Sequence, residues 1–373
     1  MKVFVLTTIT APYRVNLFNE LGKKCDLTVC FEQKRDLVER NEEWYKNEYS
    51  NFKFITLKKW NKSLKTIKWD VFKRLKECKP DIVLVYEYST LTALLLMSYC
   101  KMKKIPYLIN CDGAIPSNSK IKTMIKKHYI KNAISYFGNG ESAKNYYLKY
   151  NGTLDKLIPY KFSNYYKDDI LDKPLTIKEK NQIRNELGIN AKKVFLSIGR
   201  FEYLKGFDLL FEVAKKFDSD NLFLIVGGGP LEKDFEKYVT ENNITNVKVV
   251  SYMDKEMLKK YYDASDAFVF TTRYDIWGLV VVEAMSRGIP VISSDASMAG
   301  KELISNGKNG YVFENDNTKQ LQEAITKISN MDDEKLYKLG NNAIKTVKDY
   351  NIETMAIDHY NGLINIYNNI KKK

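Results

Sequence analysis

Histidine is nearly absent from this sequence. Only His128 and His359 occur among 373 residues. A zinc centre or a Ser-His-Asp triad therefore has little to draw on. The five cysteines, Cys25, Cys30, Cys78, Cys100 and Cys111, are odd in number and contain no C-x-x-C pair. That pattern argues against a disulfide framework and for reduced, mostly buried thiols. Long hydrophobic runs are missing too. The longest largely apolar stretch, Leu91 to Cys100, falls far short of the ~20 residues that a membrane helix needs. The opening segment, MKVFVLTTITAPYR, lacks the long apolar core and small-residue cleavage site of a signal peptide. It is expected to form a first strand.

Acidic residues are short in one half of the chain. Residues 1–170 hold 31 Lys and Arg against 17 Asp and Glu, whereas the remainder holds 29 of each. The whole excess of +14 thus belongs to the first half. It marks either a solvated basic face or a surface for an anionic partner. The excess is densest over 51–131, with 18 bases and five acids. There, LKKWNKSLKTIKWDVFKRLKECK and NSKIKTMIKKHYIKN set lysines beside Trp60, Trp69, Met124, Ile125 and Tyr129. A helix with cationic and apolar faces suits an anionic membrane surface. An ordinary lysine-rich amphipathic helix reads the same way.

Two stretches alternate strand and helix signals. The first carries KVFVLT, DLTVCF, FKFITL, DIVLVY, IPYLIN and AISYF, with helical patterns at 13–22, 63–77, 89–101, 118–132 and 141–150. The second carries VFLSIG, LFLIVG, VKVVSY, AFVFTT, PVISS and GYVF, with helices near 176–187, 205–217, 230–242, 254–263, 278–287 and 317–328. Short apolar strands between helices predict parallel sheets covered on both faces. Two doubly wound α/β domains are expected, over 1–165 and 166–351. A last helix within 352–373 is expected to cross back to the first.

Ligands of open parallel sheets sit beyond the carboxyl ends of the strands. In the second domain those ends carry Gly199-Arg200 and Lys205, then Gly227-Gly228-Gly229, then Asp275 and Gly278. Glycine lets the backbone approach a ligand closely. The first N–H groups of a helix starting at Gly278-Leu279 are unpaired and partly positive. With Arg200 and Lys205 they compose a cradle for a diphosphate. Glu283 lies too far into that helix to cap it, so it is expected to accept hydrogen bonds from a sugar diol. Asp275 is placed to hold a second ring. Each residue singly reads as a turn or surface residue; their shared sheet edge is what argues for a site. Asp218-Ser219-Asp220 has the form of a metal-binding D-x-D but precedes its strand, at the wrong edge for a ligand. No metal site is expected.

GRFEYLKGFDLL, IVGGGPL and YDIWGLVVVEAMSRGIPVI resemble the donor-binding half of the retaining family 4 glycosyltransferases, group 1, of GT-B architecture. The likeness spans 190–330, and TAPYRVNLFNEL is similar to the opening of polysaccharide-building bacterial members. It implies two Rossmann-like domains facing a cleft. It implies transfer of a hexose-type sugar from a nucleotide donor, UDP-sugar first and GDP-sugar second, with the anomeric configuration kept. The acceptor would be a glycan or polyprenyl-linked lipid in surface polysaccharide or glycolipid synthesis. No cofactor is implied beyond the nucleotide sugar. The enzyme would be cytoplasmic, peripheral on the inner face of the cell membrane. Arg200 and Lys205 would neutralise the departing diphosphate, and Asp275 would touch the transferred sugar. Glu283 would bind ribose hydroxyls, and the N–H groups of Gly278, Leu279 and Val280 a phosphate. Gly199 would line the donor site, and Tyr252 and Met253 the base pocket.

Two departures stand out. Asp275 replaces the family's common glutamate, with a reach shorter by ~1.5 Å. No histidine stands at the first-domain strand end LINCDGAIPS, where Asp112-Gly113 occurs instead. Arg14, Glu87 and Asp112 are the acceptor-side candidates. Two other readings remain open. A GT-B nucleotide-sugar epimerase would need acid/base side chains in the cleft. A nucleic-acid binder using the basic half would leave Asp275 and Glu283 without a role; no nucleic-acid partner is expected.

Overall fold

The computed structural model describes residues 1–33, 47–58, 66–112 and 117–372. Trp60, Gly113, Lys373 and the start of the helix expected at 63–77 lie outside the described residues. The chain divides into two compact units, Met1–Asn164 with Tyr350–Lys373, and Tyr165–Asp349.

The first unit is built on β1 (Lys2–Thr7), β2 (Asp26–Phe31), β3 (Lys53–Thr56), β4 (Ile82–Tyr86), β5 (Tyr107–Cys111), β6 (Ser135–Gly138) and β7 (Leu157–Pro159). They form one parallel sheet in the order β3-β2-β1-β4-β5-β6-β7. Every residue of β4 and β5 is buried, as expected of strands covered on both faces. The covering helices are α1 (Pro12–Gly22), α2 (Asp70–Cys78), α3 (Leu91–Met102), α4 (Lys120–Asn132) and α5 (Gly140–Lys149). Pro12 opens α1, where a missing N–H costs nothing. The hydroxyls of Thr90 and Ser119 cap α3 and α4. All five cysteines are free thiols. Burial pushes Cys25 up to about 11 and Cys100 to about 12, so both stay protonated at neutral pH.

The second unit has β8 (Lys193–Arg200), β9 (Asn221–Gly228), β10 (Val247–Ser251), β11 (Ala267–Phe270), β12 (Val291–Ser294) and β13 (Gly310–Phe313). Their order is β10-β9-β8-β11-β12-β13, again parallel. The helices are α6 (Ile177–Glu186), α7 (Phe207–Ala214), α8 (Glu232–Glu241), α9 (Lys255–Ala264), α10 (Leu279–Ser286), α11 (Met298–Leu303), α12 (Thr318–Ser329) and α13 (Asp333–Val347). A buried ion pair fastens α6 to this sheet: Arg184 Nη2 lies 2.6 Å from Asp266 Oδ2, which also accepts the Val194 N–H at 2.8 Å. Both units are thus doubly wound parallel α/β structures. Among the described residues no helix is long and apolar enough to cross a membrane.

The last helix, α14 (Ile352–Lys371), belongs to the first unit and packs on α1 and β7. Gly362 permits that approach, since a Cβ there would stand 2.9 Å from Ile158 and Phe137 carbons. Three elements were not expected from the sequence. β7 and α11 have three and six residues, too short to show a period. In α13, Gly340 and two asparagines interrupt the helical pattern, yet a Cβ on Gly340 would lie 2.1 Å from the Gly288 carbonyl oxygen. Glycine there serves close packing. The helix expected at 205–217 starts later, at Phe207, because Gly206 takes a left-handed φ of 66° after a short turn.

Candidate functional site

In each sheet the strand order reverses once, between β1 and β4 and between β8 and β11. The carboxyl ends of those strands flank the crevice where ligands of such sheets bind. In the second unit, β8 delivers Gly199 and Arg200 to this edge. The chain then makes a tight turn, Tyr203–Lys205, closed by Gly206. A Cβ on Gly206 would lie 2.1 Å from the Thr271 carbonyl oxygen, so this turn rests directly on the end of β11. Gly227 is equally constrained, with its would-be Cβ 1.9 Å from the Gly199 oxygen.

Lys205 Nζ sits 2.7 Å from Asp275 Oδ2. Asp275 Oδ1 accepts the Trp277 N–H at 3.2 Å, which fixes the carboxylate. The two residues expected to act separately thus form one ion pair. Arg200 Nε lies 3.8 Å from Glu202 Oε2, a looser and half-exposed contact. Beyond Asp275, Gly278 caps α10 with a φ of 100° and no side-chain acceptor. The first turn of α10 is closed by the Val281 N–H donating to Gly278 O at 2.9 Å. The N–H groups of Gly278, Leu279 and Val280 precede that bond, at the positions where a helix offers its N–H groups no intrahelical acceptor.

Glu283 is buried in α10 and accepts a hydrogen bond from Tyr262 Oη at 2.8 Å. Burial, then the charge of Glu283, pushes the Tyr262 phenol well above its ordinary value, so it remains a donor. Tyr262 holds the carboxylate in one orientation, a role the sequence did not reveal. Tyr252 follows β10 and is exposed, with Met253 beside it half-buried. Gly228, at the end of β9, faces them: a Cβ there would be 3.8 Å from Tyr252 Cβ. Asp218 accepts the Asp220 N–H at 3.2 Å and the Asn221 amide at 2.9 Å, at the amino end of β9. That is a loop-closing role.

The first unit gathers Arg14, Glu87 and Asp112 at its own carboxyl edge. Glu87 Oε2 accepts from the Thr8 N–H at 3.0 Å, the Thr8 hydroxyl at 2.7 Å and the Thr7 hydroxyl at 3.2 Å. Arg14 is ion-paired to Asp112, and its guanidinium lies 4.3 Å from the Tyr86 ring centre. The other Asp112 oxygen takes the Tyr160 hydroxyl and, at 2.9 Å, the Asn110 amide. Asp112 is therefore a partly buried anchor for the buried Arg14. A histidine from a distant helix packs beside this strand. His359 of α14 brings Nε2 within 3.4 Å of Asn110 Oδ1. It stacks on Phe137 with ring centres 4.4 Å apart. Burial lowers its pKa to about 4, so it stays neutral. A separation of 249 residues hides this neighbourhood from any local pattern.

The second unit, with its cation–carboxylate pair at a glycine-lined sheet edge, also holds the sequence match to a known family. Residues 179–346 match the family of glycosyl transferases, group 1. The group 1 stretch lies wholly within the second unit. An uncharacterized glycosyltransferase of Methanocaldococcus jannaschii is 30% identical over 42% of this chain and 44% of its own. One from Haemophilus influenzae is 27% identical over 48% of this chain and 51% of its own. The chain thus spans about half the length of the curated relatives it matches. Among solved structures, HepE of Anabaena in complex with UDP superposes with a TM-score of 0.77 at 16% identity, over 98% of this chain and 100% of that one. This likeness establishes the fold class, two parallel-sheet Rossmann-like units of the GT-B type.

Proposed function

We propose that this chain is a glycosyltransferase. It moves a hexose-type sugar from a nucleotide diphosphate, UDP-sugar in the first instance, to a glycan or lipid-linked acceptor of surface polysaccharide or glycolipid synthesis. The observation that carries the reading is the Lys205–Asp275 pair, set between Arg200 and the bared start of α10 in the group 1 stretch. The likeness to HepE, solved with UDP, supports a nucleotide as a partner of this chain.

On this reading the diphosphate takes Lys205 as its counterion together with Arg200 and the N–H groups of Gly278, Leu279 and Val280. Glu283 accepts the ribose hydroxyls, Tyr252 and Met253 flank the base, and Gly199 gives the donor room. Asp275 then holds the transferred sugar. As the glycosidic C–O bond to the diphosphate breaks, negative charge grows on the leaving phosphate, where these fixed donors stabilise it most. The leaving phosphate takes the acceptor's proton on the same face of the sugar, and configuration is retained. Side chains and peptide N–H groups supply this charge compensation, so the reaction is assigned no resident metal. Arg14, Glu87 and Asp112 shape the acceptor side.

We further read the enzyme as cytoplasmic and peripheral on an anionic membrane. The support is α4, where Ile121 and Met124 are 69% and 71% exposed beside the exposed Lys120 and Lys122. Salt-sensitive sedimentation with anionic vesicles tests this reading, and indifference to vesicles removes it. For the activity itself, Arg200→Ala and Lys205→Ala should each lower turnover by about 30- to 1000-fold with folding intact, the loss of one charge-assisted contact of about 2–4 kcal/mol. Wild-type turnover in both variants would refute the donor site. Turnover should survive a chelator, and dependence on manganese would overturn the metal-free reading.

A further inference from the structure

Among the side chains that hold down the turn carrying Lys205 is an arginine that the proposed reaction does not use. Arg273 follows β11, two residues before Asp275. Its Nη1 donates to the Tyr203 carbonyl at 2.8 Å and to Asp208 Oδ1 at 2.8 Å. Nη2 donates to Asp208 Oδ2 at 2.7 Å, and Nε to Asp316 Oδ1 at 2.7 Å. The guanidinium also lies 4.0 Å from the Tyr203 ring centre. One planar fork thus joins three segments: the turn after β8, the start of α7 and the turn after β13. Lysine cannot reproduce this, since a single ammonium lacks the fork.

The backbone repeats the connection. The Arg273 N–H donates to the Leu204 carbonyl at 2.7 Å. Thr271 and Thr272 hydroxyls donate to the Lys205 and Leu204 carbonyls, each at 3.0 Å. Lys205 itself sits on a short turn whose Tyr203 and Leu204 side chains are exposed. Its stem reaches past Gly199, whose would-be Cβ stands 3.5 Å from Lys205 Cγ. The place of its ammonium is therefore set both by its pairing with Asp275 at 2.7 Å and by how firmly this turn is pressed onto β11.

We propose that Arg273 is a positioning residue for Lys205, holding its ammonium where a nucleoside diphosphate binds. Arg273 is engaged by two carboxylates and a carbonyl and stays with them; it acts on the ligand only through the turn. The inference rests on the donor-site reading above.

UDP affinity, measured by calorimetry on the full chain, provides the test. Arg273→Ala should weaken UDP binding by about 10- to 100-fold, about 1.4–2.7 kcal/mol. Arg273→Lys should recover little of it, and added guanidinium ion at millimolar level should recover more. The decisive readout is the double variant. With Lys205→Ala already present, Arg273→Ala should change UDP affinity by less than about two-fold, because its route to the ligand is gone. Full multiplication of the two losses would overturn the proposal. So would wild-type affinity in Arg273→Ala. Should that variant fail to fold, Arg273→Lys carries the same cycle. Failure of the wild-type protein to bind both UDP and GDP would instead sink the donor site, and this inference with it.

Discussion

Acidification should loosen the first unit through His359. The imidazole is fully buried, stacked on Phe137, with Nδ1 2.8 Å from the Met355 carbonyl oxygen. Folding lowers its pKa from 6.5 to about 4, chiefly by desolvation. The unfolded chain takes up a proton as the pH falls through 6.5, whereas the folded chain refuses it until about 4. Stability from this group is complete above the higher value and drains away across that window. The gap between the two values corresponds to about 3 kcal/mol, of which about 2 kcal/mol is lost by about pH 5. Hydrogen exchange of the β5 amides, Tyr107–Cys111, reports the opening of this unit. His359→Asn removes the titration while keeping a polar side chain near Met355 and Asn110. Between about pH 8 and pH 5 the wild-type opening free energy should fall by about 2 kcal/mol more than that of the variant. Parallel losses in the two proteins would refute the reasoning.

Other perturbations probe the second unit. Tyr262→Phe removes the hydroxyl that orients Glu283 and should weaken UDP binding by about ten-fold, read by calorimetry, since hydrogen bonds to charged groups contribute about 1.5–3 kcal/mol. Unchanged affinity would separate Glu283 from the nucleotide. Gly206→Ala should cost more than about 2 kcal/mol in a denaturant melt, because the left-handed backbone and the Thr271 oxygen both reject a Cβ. Arg184→Ala leaves Asp266 buried without its main partner and should cost about 3–5 kcal/mol, seen as a lower melting temperature of the second unit. A loss under about 1 kcal/mol would mean that Lys180, 3.7 Å from Asp266, compensates.

The architecture was legible because both sheets are made of apolar runs bounded by glycines and polar turns, such as VFLSIG and LFLIVG. A buried parallel strand leaves that mark regardless of what lies beside it. Residues at strand ends were legible for the same reason. Once β8 and β11 are recognised, Arg200, Lys205 and Asp275 must emerge at one edge. Their pairing was not legible, because the sheet order puts β11 beside β8 across 70 residues of sequence separation. Arg273 falls between the strand AFVFTT and the motif YDIWGLVVVEAMSRGIPVI, and nothing local shows that it faces Asp208 and Asp316. Asp112 read as an acceptor-side candidate at a strand end without histidine, and nothing local showed that it pairs with Arg14.

Local order in this chain follows from its own residues: which segments extend, which coil, and where glycine or a capping hydroxyl ends them. These are short-range steric and hydrogen-bonding choices, so a few adjacent residues decide them. Tertiary structure alone decided which carboxylate meets which cation, and that α14 carries His359 beneath β5. Such meetings depend on chain crossings between distant segments, and their strength on burial, which no residue possesses until the whole unit has closed around it.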